Sequence, residues 1–416
     1  MLHTIVKPMC TLIVMFVFFT IQAQPVLETG GQNMPSEWID KDTKHKVKKI
    51  IPLEGNNSSF YFHNNPFIDN KMVFYNTPAS TKIVINKMGK VENSDIKGKQ
   101  LYIINLKNSK TEQLTSHYHP VNGEVVHSGT KQVYYQVLDS VFSININTRQ
   151  QKLVYVFPEN IPGRITTVNA DGSLLAGAYQ VPGTEKKNPA FDSLSAFNKI
   201  YEEKALRRLF VIDINKGTRT DIFSDTAWLN HHQFSPVNPN LLLFVHEGPW
   251  HKVNRIWTID IVSKKVTPFH PRTMDMEIAG HEWFSKDGKT IWFDLQQPRG
   301  KQFFVAGADV ITTREIKYEL QRNEWSVHYT SSPDNSLFAG DGGSAGSVAK
   351  SPDGQWIYLF TPGGNSFKSK KLVNMKHHNY QLEPNVHFSP DMKWIIFRAN
   401  FEGHTNVYAV EIADSK

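Results

Sequence analysis

Residues able to carry chemistry are concentrated between positions 229 and 260. An apolar run at 241–245 and an alternating run at 255–259 enclose a polar segment, as in a strand–turn–strand unit. The polar side chains of this region are four histidines, one acid, two bases and a tryptophan: His231, His232, His246, Glu247, Trp250, His251, Lys252 and Arg255. A solvated turn does not require this density of imidazole and charge, so the stretch is predicted to be functional.

Two further groups occupy comparable places in the chain. His281 follows Gly280, and a last group comprises Gln381, Glu383, Asn385 and His387. Each group stands a few residues before a Phe-Ser or Trp-Phe-Ser turn, as His231 does. Imidazole, carboxylate and amide donors together suit a divalent cation such as Mn²⁺ or Ca²⁺. The alternative interpretation is a set of histidines that cap strand ends, and His377 and His378 look like residues of an exposed loop.

A repeated unit positions these groups. Turns of the Ser-Pro-Asp-Gly type recur, and a strand-like segment follows each; their positions are 235–236, 285–288, 332–335, 351–354 and 389–391, with a weaker copy at 169–172. Proline sets φ at the second turn position, and Asp-Gly or Asp-Asn supplies the reversal between strands. Turn-to-turn separations of 50 (235 to 285), 47 (285 to 332) and 57 (332 to 389) match four-stranded propeller blades with insertions.

The repeats predict an all-β fold, a seven-bladed β-propeller of four-stranded blades. The units are 60–117, 118–158, 160–225, 227–270, 279–319, 325–375 and 377–413. A β-sandwich would not explain turns and closing strands that repeat in one order. The predicted divisions are a signal peptide at 1–23, a polar and mobile lead-in at 24–59, and the propeller at 60–416, with one helix within 193–205. Inner strands of a propeller surround one axis, so the candidate groups should converge there.

The N-terminus predicts export. Lys7 is followed by an apolar run at 12–21 and by a cleavage site after Ala23, so the mature chain would begin at Gln24 and be periplasmic or extracellular. The run is short for a membrane span, so no stable membrane insertion is expected. The single cysteine, Cys10, lies within this segment, which leaves the mature protein without thiol chemistry.

The net charge of +7 is spread along the chain without a long basic block. It fits a protein that handles an anionic ligand, although scattered surface lysines are the commoner explanation. No nucleic-acid partner is expected, and no oligomeric state is predicted.

Two runs in this chain closely resemble the oligogalacturonate lyases, polysaccharide lyases on a seven-bladed propeller. The runs are H-H-Q-F-S-P-x-x-P-N-L-L-L-F-x-H-E-G-P-W-H-K-V-x-R-I-W-T-I and G-H-E-W-F-S-x-D-G-K-T-I-W-F-D. The strong match covers about 227–295, and the blade pattern extends it weakly over about 60–413. The resemblance implies metal-assisted β-elimination on a short acidic oligosaccharide. A base must take a proton α to a carboxylate, and positive charge must stabilise the enolate-like product.

The resemblance also implies individual roles. His231 matches the base, whose neutral imidazole has an ordinary pKa of about 6.5. Arg207 or Arg208 is expected to assist, and His281 matches a ligand of Mn²⁺. The other ligands are expected among Gln381, Glu383, Asn385 and His387, and the substrate-binding residues are expected to be His232, His246, Glu247, Trp250, His251, Lys252 and Arg255.

This chain departs from the family in two respects. Where the family has Q-x-x-H-x-H in the last blade, this chain has Gln381, Glu383, Asn385 and His387, which puts the metal preference in doubt. The family is also often cytoplasmic, whereas this chain has a predicted signal peptide.

Two rival interpretations are a lyase on another uronate glycan and a non-enzymatic periplasmic propeller of the translocation-protein type that binds a partner protein. The second does not require clustered histidines with Glu and Trp. The pattern H-E-x-x-H does not occur, so zinc hydrolysis is poorly supported.

Overall fold

The computed structural model describes residues 24–78 and 98–413. The predicted signal peptide, residues 1–23, lies outside the described residues. Within them the fold is all-β, with a single α-helix, α1 (Ala196–Glu203). Short 3₁₀ turns occur at Pro189–Ser193, Trp250–Lys252 and Arg322–Glu324. No helix in the described ranges is long and apolar enough to cross a membrane.

The described residues form 31 strands. The first twelve are β1 (Val26–Leu27), β2 (Glu37–Asp40), β3 (Lys46–Lys49), β4 (Asn56–Ser58), β5 (Phe67–Ile68), β6 (Lys71–Thr77), β7 (Gln100–Asn105), β8 (Thr111–Gln113), β9 (Asn122–His127), β10 (Gln132–Val137), β11 (Ser140–Asn145) and β12 (Gln151–Val156). The next eight are β13 (Arg164–Val168), β14 (Leu174–Gln180), β15 (Arg207–Asp213), β16 (Thr218–Asp225), β17 (Trp228–Phe234), β18 (Leu241–Glu247), β19 (Ile256–Asp260) and β20 (Val266–His270).

The last eleven strands are β21 (Ile278–Phe284), β22 (Thr290–Gln296), β23 (Phe303–Asp309), β24 (Glu315–Leu320), β25 (Tyr329–Ser331), β26 (Phe338–Gly340), β27 (Trp356–Gly363), β28 (Ser366–Asn374), β29 (His387–Phe388), β30 (Trp394–Ala399) and β31 (Asn406–Glu411). Strands β4–β8 form the first sheet, β9–β12 the second, β13–β16 the third and β17–β20 the fourth. Strands β21–β28 form one eight-stranded sheet, and β1–β3 join β29–β31 in a closing sheet.

Adjacent sheets pack face to face. Leu242 and Phe244 of β18 face the third sheet in a cluster with Leu209, whereas Leu243 between them faces the eight-stranded sheet in a cluster with Phe293. Successive side chains of a strand point to opposite faces, so a strand covered on both sides must be apolar throughout. This explains the unbroken apolar run at 241–245.

The predicted turns are confirmed in detail. In the turn at Ser285, the hydroxyl donates to Asp287 (2.7 Å) and accepts from the Thr290 backbone N–H (2.9 Å). The same pair of bonds recurs at Ser332 and at Ser389. The predicted helix is also present: Ser195 caps α1 by accepting from the Asn198 N–H (3.4 Å).

The lead-in, expected to be mobile, is part of the closing sheet. Strand β3 pairs antiparallel with β31, with Val47 opposite Val410. Trp38 of β2 is fully buried, with its ring against Phe401 and Tyr408. Strands from the two ends of the chain therefore share one sheet, and apolar residues among the lysines of the lead-in are what anchor it.

Candidate active site

Three histidines from consecutive four-stranded units lie close to one segment that precedes β5. His231 lies on β17, His281 on β21, and His328 directly before β25. The rings of His281 and His328 are 4.6 Å apart, and the ring of Tyr61 is 5.0 Å from His328 and 5.7 Å from His231. The predicted convergence thus brings His231 and His281 to one centre, and His328 and Tyr61 belong to it as well.

β-bulges set the direction of the first two histidines. The register of β17 against β18 shifts between Asn230 and Gln233, and the register of β21 against β22 shifts between Gly280 and Trp283. His231 and His281 lie inside these bulges with φ of 48° and 44°. A non-glycine residue at positive φ costs about 1–3 kcal/mol, and such strain is concentrated at functional sites.

His231 belongs to a buried network of charges. Its Nδ1 lies 3.1 Å from Oε1 of Glu282, an ion-pairing distance, and its Nε2 lies 3.9 Å from Oε2 of Glu247. Arg255, fully buried, joins the two carboxylates: its Nη1 donates to Glu247 and its Nε donates to Glu282 at 3.3 Å. The carboxylates thus hold the imidazole on one side and the guanidinium on the other.

The network stays ionised although it is buried. Burial by itself would raise the pKa of Glu282 and Glu247, but Arg255 and His231 together outweigh that effect, and both pKa values are lowered. Burial would likewise lower the pKa of Arg255, and the two carboxylates reverse it. One arginine therefore compensates two acids, and the surplus negative charge lies next to His231.

Trp250 connects the network to His281. Its Nε1–H donates to Oε1 of Glu247 (3.1 Å), its ring meets that of His281 edge-on at 5.1 Å, and Arg255 lies over its face at 4.8 Å. A Cβ at Gly280 would come within 2.6 Å of the indole. The glycine of the Gly-His-Glu-Trp motif is thus required by the approach of Trp250.

Two histidine–carboxylate pairs complete the centre. Nδ1 of His281 lies 3.1 Å from Oδ2 of Asp294, and Nδ1 of His328 lies 2.9 Å from Oδ2 of Asp341. Burial would lower the pKa of His281, but Asp294 raises it above the ordinary value. For the other pair, burial lowers the pKa of His328 and raises that of Asp341 to about 7, so the imidazole of this pair is uncharged at pH 7.

The donors at this centre suit a divalent cation. A carboxylate on Nδ1 orients an imidazole so that Nε2 can bind metal, and His281 and His328 both have this arrangement. The Glu383 carboxylate lies 3.7 Å from Nε2 of His328, and the Tyr61 hydroxyl lies 3.1 Å from the same nitrogen. Across the described ranges, no three His, Cys, Asp or Glu side chains are already closed around one point. The nitrogen and oxygen chemistry fits Mn²⁺, and His281, His328 and Glu383 are the residues that would hold it.

The other residues expected to bind metal are not gathered here. Gln381 is exposed. Nε2 of His387 lies 3.2 Å from the Asn64 carbonyl, and Asn385 accepts from the Phe62 N–H at 2.8 Å. Of the predicted last-blade ligands, Glu383 is the one that approaches His328. The side chains of Asn385 and His387 instead bond to the backbone of the segment at 61–64.

Neither predicted arginine contacts His231. Arg208 pairs with Asp221 (3.0 Å), and Arg207 donates to Gln180 (3.1 Å) and to the Ala205 carbonyl. Both begin β15, the third strand of its sheet, whereas His231 lies on the first strand of the next sheet. The arginine in the His231 network is Arg255, which was expected only to bind substrate.

The predicted substrate-binding residues divide between two places. Glu247, Trp250 and Arg255 belong to the centre. His232 points away from it, with Nδ1 3.2 Å from the Thr166 hydroxyl, and burial lowers its pKa to about 3. The others lie outside the network: His246 stacks on Trp257, and His251 and Lys252 form a 3₁₀ turn.

The repeat pattern of the sequence also indicates His328, which was not among the expected site residues. It stands four residues before Ser332, as His231 stands before Ser235, His281 before Ser285 and Asn385 before Ser389. Its strand lacks the Phe-Ser motif that marked the others. No comparable repeat indicated Tyr61, since its place at the centre depends on the path of the chain between sheets.

Solved structures that resemble this chain establish its fold class. The chain aligns with the β-propeller domain of Cps50 (Swd1) from Myceliophteria thermophila at a TM-score of 0.51 and 9% identity, covering 86% of this chain and 96% of that one. Two structures of oligogalacturonate lyases align better. One, in complex with manganese, gives a TM-score of 0.75 at 21% identity, and one from Vibrio parahaemolyticus gives 0.73 at 20%; each alignment covers 91% of this chain and 96% of the other. The fold is that of a β-propeller.

The family follows from the sequence. The family model described as oligogalacturonate lyase matches residues 93–416, so the chain belongs to the oligogalacturonate lyase family. Oligogalacturonate lyase of Dickeya dadantii is 25% identical over 337 residues, covering 76% of this chain and 83% of that protein. Oligogalacturonide lyase of Pectobacterium atrosepticum is 23% identical over 335 residues, with the same coverage.

Proposed function

We propose that this protein cleaves oligogalacturonides by β-elimination and leaves a 4,5-unsaturated uronate at the new chain end. The observation that carries the proposal is the His231–Glu282 contact at the centre of a fold that belongs to this lyase family. An imidazole oriented by a buried carboxylate is suited to remove a proton from carbon.

His231 is the base in this reaction. It takes the C5 proton of the uronate, and the electron pair of the C5–H bond forms the C4–C5 double bond. The C4–O bond breaks, and the glycosidic oxygen leaves with its electron pair and is protonated by water. Oε1 of Glu282 lies 3.1 Å from Nδ1 of the imidazole, which leaves Nε2 as the atom that receives the proton. As the imidazole becomes positive, the surplus negative charge of Glu247 and Glu282 over Arg255 stabilises it. Arg255 acts through these carboxylates and is a positioning residue.

We further propose a cation at His281 and His328, with Glu383 supplying an oxygen. Manganese is favoured because of this donor set and because a structural neighbour is a manganese complex. A divalent cation there would supply positive charge to the uronate carboxylate and so would make the C5 proton more acidic. Asp294 and Asp341 contact Nδ1 of His281 and His328 and so orient the two imidazoles.

The architecture proposed is a seven-bladed propeller. Between β24 and β28 the eight-stranded sheet is joined only at the Glu319–Ser366 pair, so it divides into two four-stranded blades. These two, the first four sheets and the closing sheet make seven.

We also propose that the protein is exported, with its mature N-terminus at Gln24. This rests on the charged, apolar and small-residue succession in residues 1–23. Mass spectrometry of the protein from its native host should find Gln24 first, and an intact Met1 on soluble protein would refute export.

Incubation with digalacturonate tests the activity. The absorbance of the unsaturated product should rise with time, and mass analysis should find no added water. A hydrolytic product, or no product with manganese present, would refute the proposed reaction.

A further inference from the structure

Two side chains from opposite ends of the chain contact Nε2 of His328. The Tyr61 hydroxyl lies 3.1 Å from this nitrogen, and the Glu383 carboxylate lies 3.7 Å from it. Tyr61 belongs to the segment that follows β4, and Glu383 belongs to the segment that precedes β29. Neither residue lies in a strand, so hydrogen bonds from neighbouring side chains must fix where the two groups stand.

Arg398 of β30 is bonded to both segments. Its Nε donates to the Glu383 carbonyl (2.7 Å). Its Nη1 donates to the Ser58 hydroxyl (3.0 Å) and to the Ser59 carbonyl (3.1 Å), just ahead of Tyr61. One guanidinium thus joins the segment that leads to Tyr61 to the turn that carries Glu383.

The turn at Glu383 has further support from the last sheet. The Glu383 carbonyl also accepts from Nδ2 of Asn385 (3.0 Å), and the backbone N–H of Arg398 donates to the Pro384 carbonyl (2.9 Å). Arg398 therefore holds two successive residues of the turn, one through its backbone and one through its side chain.

The charge of Arg398 has no direct ion-pair partner. Among residues 24–78 and 98–413, the guanidinium meets two carbonyls and one hydroxyl, and no carboxylate comes within ion-pairing distance of it. Burial lowers the pKa of Arg398, and three carboxylates farther away offset only part of this effect. A buried charge without a partner is costly, so packing alone does not explain an arginine at this place.

We propose that Arg398 is a positioning residue for the cation site, because it holds Glu383 where the carboxylate can join His281 and His328 on one ion. The inference rests on the proposed function, which places a cation at these residues. Each histidine is oriented by a carboxylate on its Nδ1, whereas Glu383 lies in a turn and depends on the bonds from Arg398. Groups that orient a metal ligand typically contribute about 10–100-fold to metal affinity.

Calorimetry with manganese chloride tests the proposal. Arg398→Met should weaken manganese binding about 10–100-fold. Arg208→Met is the matched control, because Arg208 pairs with Asp221 on another sheet; it should leave manganese affinity unchanged. Arg398→Lys is a second variant that keeps the buried charge, but one ammonium cannot reproduce the bonds of the guanidinium to both segments, so it too should bind manganese more weakly. Wild-type affinity in both Arg398 variants would overturn the proposal.

A double-mutant cycle with Glu383 separates positioning from general damage to the fold. In a Glu383→Ala background, Arg398→Met should change manganese affinity by no more than about twofold, since the carboxylate that Arg398 places is already gone. An equal loss with and without Glu383 would contradict the proposal, because the substitution would then act on the histidines or on the fold as a whole.

The positioning role and the proposed reaction fail separately. Manganese binding and product formation by the wild type, together with unchanged affinity in the Arg398 variants, would refute the positioning role alone. Product formation by wild-type protein that binds no manganese would refute the cation site and the role of Arg398 with it, and would leave the lyase reaction standing.

Discussion

Arg255→Met should be among the most destabilising single substitutions in this protein. The guanidinium is fully buried between Glu247 and Glu282, and its loss leaves two buried carboxylates without a cation. Breaking a buried ion pair by removing one partner costs about 3–5 kcal/mol. Domains are typically stable by about 5–15 kcal/mol, so about a fifth or more of the free energy of unfolding should be lost.

Urea unfolding at pH 7 measures this loss, and Arg208→Met is the matched control. Arg208 pairs with Asp221 but its side chain is 41% exposed, so its removal should cost about 0–1 kcal/mol. Adding Glu247→Gln and Glu282→Gln to Arg255→Met should recover most of the stability, because the uncompensated charges are gone.

The pH dependence gives an independent check. Arg255 keeps the pKa of Glu247 and Glu282 below their unfolded values, so in the wild type these acids stabilise the fold above that range and lose the effect as pH falls. Without Arg255, burial raises both pKa values above the unfolded ones, and the ionised acids destabilise the fold at neutral pH. The deficit of Arg255→Met should therefore shrink from pH 8 to pH 5. A deficit no larger than that of Arg208→Met, or one that grows in acid, would refute this account of the network.

Three further results are expected. His231→Ala should lower turnover about 10²–10⁴-fold with unchanged manganese content, whereas His232→Ala, which loses a buried contact with Thr166, should mainly lower stability; normal turnover by His231→Ala would exclude it as the base. His281→Ala and His328→Ala should each reduce manganese content measured by elemental analysis, and full manganese content in both would refute the cation site. His270 has a pKa raised to about 9, because Glu277 and Glu315 outweigh its burial. Its protonated form should therefore stabilise the fold fully below the unfolded pKa near 6.5, and about 3 kcal/mol of that stability should be lost as pH rises through 9. Urea unfolding at pH 7 and pH 10 should show this loss in the wild type and not in His270→Gln.

The repeated turns could be predicted from the sequence because the hydrogen bonds that form each turn join residues close together in the chain. Ser285, Ser332 and Ser389 each bond to a residue five positions later, so the turn is encoded in a short window. The apolar run at 241–245 likewise indicated the strand that the structure shows as β18. Repeat position then brought His231 and His281 together without any contact information.

Other features depend on segments that meet only in the folded chain. The lead-in pairs with β31, more than 350 residues away, and Val47 and Trp38 gave no local sign of that partner. Arg207 and Arg255 are both arginines near strand starts, yet only Arg255 faces two acids. The sequence alone determined which groups recur at the same repeat position. Burial and pairing of charge depend on several sheets at once, so only the tertiary structure decided which groups are buried together and that one arginine pairs with two carboxylates.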